Sequence, residues 1–436
     1  MSASSEEDDR GATSVRVSVR TTIMSSVGLV VAFYVTCAFA LCFPPVRRFL
    51  GRCFFYQDGS RTAGYAYLDA LRALAALSVM LMHYYIWNPK PLADFSSIGL
   101  ITGGQRAVGV FFVLSSFLIW KSLPLDDLGK YAISRVLRIY PLQVALTCFL
   151  FLPANTLSLA LFAGKTASLS SFWQTNAPFF KEALLWNIFT NNFVLFNGVA
   201  WSIVVEMQFY IVAPLLKYAH SKFPRFFVAS LILLSTGLLW IESNATMLGI
   251  HSPQLPWLKF FIAGIFLAIF MDRLIDAKVL RNPYVSGICI VAAMSMIDLD
   301  FNDIRVISYF LPPDAFTFSP DLAVAVCMLI VGLRANGSAS NLLSLKPIRF
   351  LGVISYSFYL SQLPILGHFV PEISASAHPV AFLVFYAIPV HIVIAALLFA
   401  VVETPFLMLS ARMKARGPRA DEAHPAAKLQ CGMTPL

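Results

Sequence analysis

Leu68-Asp-Ala-Leu-Arg72-Ala-Leu-Ala-Ala-Leu-Ser-Val-Met-Leu-Met-His83 has the composition of a membrane-spanning helix with three ionisable residues left in it. Ionisable side chains are costly inside a membrane, and where they occur they mark function. At 100° per residue, the eleven steps from Arg72 return His83 to within about 20° of it, roughly 16 Å further along the axis. Asp69 lies one turn before Arg72, close to the same face. The helix therefore carries a fixed cation toward one end and a titratable imidazole toward the other. A structural ion pair with an interfacial histidine is the plain alternative.

The rest of the chain has the same character. It has 436 residues, of which 58% are hydrophobic and 13% charged, and its mean hydropathy is +0.73. No soluble domain of this length needs so much apolar surface. The expected fold is an all-α integral membrane protein, a polytopic helical bundle of about 10–11 transmembrane helices. Apolar runs of spanning length fall near residues 23–42, 67–85, 104–121, 133–152, 199–217, 226–242, 257–271, 284–297, 320–334, 350–368 and 380–401. The 179–197 stretch is amphipathic and reads as interfacial. The seven cysteines show no CxxC or ligand-like spacing, so no metal site is expected.

The net charge of +9 does not imply a nucleic-acid partner, because basic loops account for it. Arg47, Arg48, Arg52 and Arg61 form one group, and Lys121, Lys130 and Arg135 a second. Others are Lys217, Lys222 and Arg225; Arg273, Lys278 and Arg281; Arg334, Lys346 and Arg349; and Arg412, Lys414, Arg416 and Arg419. All fall on one side if the spans alternate, which makes that side, and the C-terminus, cytosolic. The sequon at Asn244 falls on the other side, in agreement. Four regions follow. They are a disordered polar N-terminus (1–20), an extra span with a basic cytosolic loop (21–64), a membrane domain (65–407) and a polar cytosolic tail (408–436).

Four more polar clusters interrupt the apolar runs. Ser115 and Ser116 lie within Val110–Ile119, where each hydroxyl can bond a carbonyl one turn back. Arg135 and Arg138 share a face at a helix start, suited to phosphate or simply to the cytosolic boundary. Trp201-Ser202-Ile-Val-Val-Glu206-Met-Gln-Phe-Tyr210 places Ser202, Glu206 and Tyr210 on one stripe. A glutamate in the membrane must be protonated or paired. Ser355, Tyr359 and Gln362 define another face, open to substrate contact or to interhelical hydrogen bonding.

Six blocks in order resemble the acyltransferase-3 family of multi-pass membrane O-acyltransferases. They are Leu68–Ala76 with His83, Val110–Ile119, Arg135–Pro141, Trp201–Tyr210, Leu351–Leu360 and Val402–Phe406. Two positions depart from the family pattern. Ser116 stands where glycine is usual, which should alter a close helix contact. Gln362 stands where histidine is usual, and an amide cannot carry a proton at neutral pH.

The resemblance implies transfer of a short acyl group, typically acetyl from acetyl-CoA, to a hydroxyl of a glycan, lipid or small-molecule acceptor. His83 is then the catalytic base, and Glu206 orients the imidazole, stabilises its protonated form or binds the acceptor. Arg135, Arg138 and Arg72, with Asp69, hold the donor. Ser115, Trp201, Ser202, Tyr210, Ser355, Tyr359 and Gln362 line the substrate path, with Tyr359, Ser115 or Ser202 donating to the oxyanion. Acyl-CoA enters as a cosubstrate, with no resident cofactor and no metal. Membrane lipids, the donor and the acceptor are the expected partners. Two rivals use the same residues: a proton-coupled transporter built from paired broken helices in two similar halves, and a non-catalytic family member acting as receptor or scaffold.

Overall fold

The computed structural model describes residues 65–88, 92–93, 99–154, 181–185, 197–244, 255–276, 280, 282–298, 320–376 and 378–415, with the pairs 35–36 and 44–45. The expected span at 23–42 lies almost wholly outside these residues. Among the described residues all regular structure is helical. The helices are α1 (Leu68–Trp87), α2 (Gly104–Ser122), α3 (Leu128–Ala154), α4 (Trp201–Lys222), α5 (Pro224–Ser243) and α6 (Leu255–Asp276). They continue with α7 (Pro283–Asp298), α8 (Pro320–Ala335), α9 (Gly337–Leu343), α10 (Lys346–Val353) and α11 (Ser355–Ala375). The last is α12 (Pro379–Met413). Every apolar run after the first falls on these helices, with 350–368 divided between α10 and α11, so the protein is a polytopic helical membrane protein.

By length and composition four helices can cross a membrane, or six if two bent pairs each count as one span. The bends are 101° between α8 and α9 and 61° between α10 and α11. The Asn336 side chain caps the first of these turns, accepting the Ala339 N–H at 3.1 Å, as asparagine does at a helix start. Residues 408–415, assigned to the polar tail, prolong the last helix. Leu407, just before them, packs against the core.

Close packing rests on glycine. Lipid is as apolar as leucine, so small residues that let backbones approach drive helix association. A Cβ on Gly352 of α10 would collide with the Asp69 backbone of α1. One on Gly264 of α6 would meet Ser116 Oγ, and Val113 O at 2.5 Å. The Ser116 hydroxyl turns back to the Phe112 and Val113 carbonyls at 2.9 and 3.1 Å. Serine is thus accommodated in α2 because the facing residue on α6 is glycine.

Helix directions follow from end-to-end contacts. α1 and α2 are antiparallel, because a Cβ on Gly104 would meet Met82 while the Tyr65 ring meets Phe117 at 5.3 Å. α11 runs parallel to α1, from Gly352 beside Asp69 to Ser374, which accepts from Asn88 at 2.7 Å.

Prolines inside spans free carbonyls, and other parts of the chain take them up. Pro214 leaves the Tyr210 carbonyl without its helical donor, and the Tyr131 hydroxyl donates to it at 3.1 Å. Pro364 does the same to Leu360, whose carbonyl accepts from Asn197 Nδ2 at 2.7 Å. In α12 two π-helical turns, Leu383–Ala387 and Phe399–Glu403, directly precede Ile388-Pro389 and Thr404-Pro405. The wider turn makes room for each proline ring and rotates the residues beside it.

Gly264→Ala should lower stability by about 1–3 kcal/mol through overpacking, read as a drop in unfolding temperature of the detergent-purified protein. Ser116→Gly should restore only part of the loss, because the Val113 carbonyl still stands in the way.

Candidate active site

The charged residues meet where α1, α2, α3, α4, α11 and α12 converge. Glu206 Oε1 on α4 accepts from Ser115 Oγ on α2 and from Tyr210 Oη, each at 2.5 Å. Such short contacts are characteristic of a carboxylate acceptor. Arg72 interacts electrostatically with Asp69, Glu206, Tyr210 and Arg138. Asp69 also forms an ion pair with Arg349 Nε of α10 at 3.7 Å.

Glu403 carries a second carboxylate of the cluster, and it is buried. Its Oε2 pairs with Arg138 Nη1 at 3.1 Å, with the Glu403 side chain 1% exposed and that of Arg138 23%. Its Oε1 accepts a short hydrogen bond from Ser357 Oγ. The Arg138 guanidinium also lies over the Tyr356 ring, 5.5 Å from its centroid. Tyr356 in turn donates to the Ile139 carbonyl at 2.9 Å, tying α11 to α3.

The two arginines of α3 therefore differ. Arg138 is neutralised by Glu403. Arg135 lies over the rings of Tyr131 and Tyr210 at 5.8 and 5.6 Å and makes no ion pair among the described residues. The spacing of the two suggests a shared phosphate grip, but the structure gives them different surroundings.

His83 stands apart from this cluster. Its Nδ1 lies 2.8 Å from the Val79 carbonyl. A carbonyl only accepts, so Nδ1 carries the proton, and the neutral ring presents Nε2 as a base. The ring has no second partner among the described residues. No hydrogen bond joins it to Glu206, whose Oε1 accepts from Ser115 and Tyr210. Ser115 donates to Glu206, and Ser202 and Tyr359 form a separate hydroxyl pair. Their oxygens are 2.8 Å apart, and both lie near the Val199 carbonyl, at 3.2 Å each. Trp201 packs at the head of α4 against Phe112 and Trp257. Ser355 is buried at the start of α11. Gln362 is fully buried, and neither of its amide atoms has a hydrogen-bond partner among the described residues.

Sequence comparison adds a family to this arrangement. A sequence model of an acyltransferase domain, that of the acyltransferase-3 family, matches residues 65–402. The chain belongs to this family. Among its relatives is the acyltransferase MdmB of Streptomyces mycarofaciens, 26% identical over 390 residues that cover 82% of this chain and 96% of the relative. Another is the O-acetyltransferase OatA of Staphylococcus aureus, strain NCTC 8325 / PS 47, 23% identical over 335 residues. That alignment covers 69% of this chain but only 50% of OatA. No solved structure matches the chain.

For an acyltransferase-3 protein, the residues the sequence reading missed matter as much as those it found. Glu403 sits in the apolar run Phe399–Phe406, and the rule that singled out Glu206 applies to it equally. Its partner Ser357 had no separate signal. His391 was also overlooked, although it interrupts the apolar run Ile388–Leu398. It is fully buried, stacks on Phe358 with centroids 3.9 Å apart, and its Nε2 lies 3.1 Å from Ser361 Oγ. Arg349 counted only as a loop cation. Among the described residues the two bent helix pairs are consecutive, within 322–371. Among the described residues no group of three or more His, Cys, Asp or Glu is placed to hold a metal ion.

Glu403→Ala leaves Arg138 without its buried counter-charge and should destabilise the protein by about 3 kcal/mol. The double change Arg138→Met with Glu403→Met should recover most of that loss. Equal unfolding temperatures for wild type and Glu403→Ala would contradict the pairing.

Proposed function

We propose that this protein is an acyl-CoA-dependent O-acyltransferase that moves a short acyl group, acetyl above all, to a hydroxyl of a glycan, lipid or small-molecule acceptor. The strongest support is His83. Its Nδ1 is tied to the backbone and its Nε2 is left as a base, roughly 16 Å along α1 from a cluster of cations. The names of the relatives, an acyltransferase and an O-acetyltransferase, favour an acyl group of the acetyl class and an oxygen acceptor.

In this reading the cation cluster faces the cytosol, the side to which the basic loops are assigned, and where acyl-CoA is found. Arg135, without a carboxylate partner among the described residues, takes a phosphate of the donor through its guanidinium fork. Arg72 helps to orient the donor deeper in the bundle. The pantetheine arm is long enough to run along the face shared by Arg72 and His83. Near His83 the acceptor oxygen attacks the thioester carbonyl. The C–O bond forms, the C–S bond breaks, and the hydroxyl proton passes to Nε2 and then to the departing thiolate. The products are an ester and CoA-SH. The pair of Ser202 and Tyr359 supplies a donor to the oxyanion.

Radiolabelled acetyl-CoA turnover in membranes tests this. His83→Ala should reduce label transfer to acceptor by about 10²–10⁴-fold, the usual contribution of a general base, with protein level unchanged. Undiminished transfer by that variant would remove the imidazole from the reaction. Arg135→Ala should raise KM for acetyl-CoA by about 10–100-fold, the equivalent of one charge-assisted hydrogen bond, and affect kcat much less.

A further inference from the structure

A second buried polar cluster lies outside the charged site. Gln143 and Thr147 come from α3, Glu182 from the segment 181–185, and Asn197 from the turn before α4. All four are buried, at 1%, 1%, 2% and 1% exposure. Gln143 Nε2 donates to Thr147 Oγ1 at 3.3 Å and to the Glu182 carbonyl at 3.4 Å. The Asn197 backbone N–H donates to Glu182 Oε1 at 2.9 Å. Tyr140 Oη fixes the same segment by donating to the Leu184 carbonyl at 3.0 Å, and Leu185 ends it in a left-handed conformation, φ 51°.

The axial level of this cluster follows from helix geometry. Gln143 and Thr147 lie about 7 and 13 Å beyond Arg138 at the helical rise. α3 follows α2 through a short link and so runs parallel to α1. The cluster therefore lies toward the end of the bundle where His83 is found. Irregular backbone at membrane depth is tolerated where it is buried in protein or lines a wet cavity.

Among the described residues, part of its hydrogen-bonding capacity is unused. Both Gln143 Nε2 hydrogens are engaged, yet Oε1 has no partner there. Asn197 Nδ2 is held by the Leu360 carbonyl, yet Oδ1 likewise has none. Two residues beyond Leu360, the Gln362 amide is buried, and neither of its polar atoms has a partner among the same residues. A buried acceptor is costly to leave unsatisfied. Amide oxygens accept from O–H groups.

We propose that the amide oxygens of Gln143 and Asn197 form the acceptor subsite and bind hydroxyls neighbouring the one that is acylated. The acceptor is then a polyol or sugar rather than a simple monohydroxyl compound. The proposal rests on the O-acyl transfer reading above.

The test uses full-length protein in lipid nanodiscs with labelled acetyl-CoA, and methyl α-D-glucoside or 1-hexanol as acceptor. Gln143→Leu, or Gln143→Met if the first does not accumulate, should raise KM for the glucoside at least tenfold. Transfer to 1-hexanol and KM for acetyl-CoA should not move. Equal losses with both acceptors, no change with either, or a wild type that uses only 1-hexanol would overturn the subsite. Binding gives a readout that needs no turnover: the glucoside should raise the unfolding temperature of the wild type more than that of the Gln143 variant. That difference without any acetyl transfer would retain the subsite and overturn the transfer reading. Equal shifts in both proteins would overturn the subsite.

Discussion

Two carboxylates in an apolar bundle have to be satisfied, and the arrangement of the helices follows from how this is done. Glu206 is held by a serine from α2 and a tyrosine one turn along its own helix. Glu403 is held by an arginine from α3 and a serine from α11. Each carboxylate thus fixes separate helices around a point charge. Hydrophobicity cannot choose among helix arrangements in lipid, whereas these contacts and the glycine crossings can. The π-helical turn ending at Glu403 has a role here, because it rotates that residue into the bundle while Pro405 follows directly.

The same requirement separates the site into two parts. Cations and carboxylates gather at one level, and the histidine sits alone about three turns away on the same face of α1. A base surrounded by arginines would be held neutral, and one beside a carboxylate would be held protonated. His83 avoids both, with a backbone carbonyl as its single partner among the described residues. Asp69 links the charged level to the outer shell of the bundle, through Arg349 and through the glycine contact with α10.

Much of this was legible in the sequence because membranes simplify reading. Apolar run length located the helices, and the cost of burying charge pointed to Arg72, His83 and Glu206. What the sequence could not show was who pairs with whom. Arg135 and Arg138 look equivalent on a helical wheel, and only the position of Glu403, 265 residues later, separates them. Glu206 looked like a partner for His83, because both are ionisable and intramembrane, but Ser115 and Tyr210 lie closer. Ser116 is expected to alter a close helix contact, and that it is accommodated depends on Gly264, its neighbour on α6. The Gln143, Glu182 and Asn197 cluster had no signature at all, since its members come from three separate stretches and none is unusual alone.

The proline-released carbonyls bear on how the chain is assembled. Pro214 and Pro364 each exchange a hydrogen bond within one helix for one between distant segments. In both cases the donor precedes the carbonyl in the chain, Tyr131 before Tyr210 and Asn197 before Leu360. A chain synthesised from its N-terminus has therefore already delivered the donor when the proline-bearing helix emerges. The order of residues along the chain thus spares each opened helix from meeting lipid with an uncovered carbonyl.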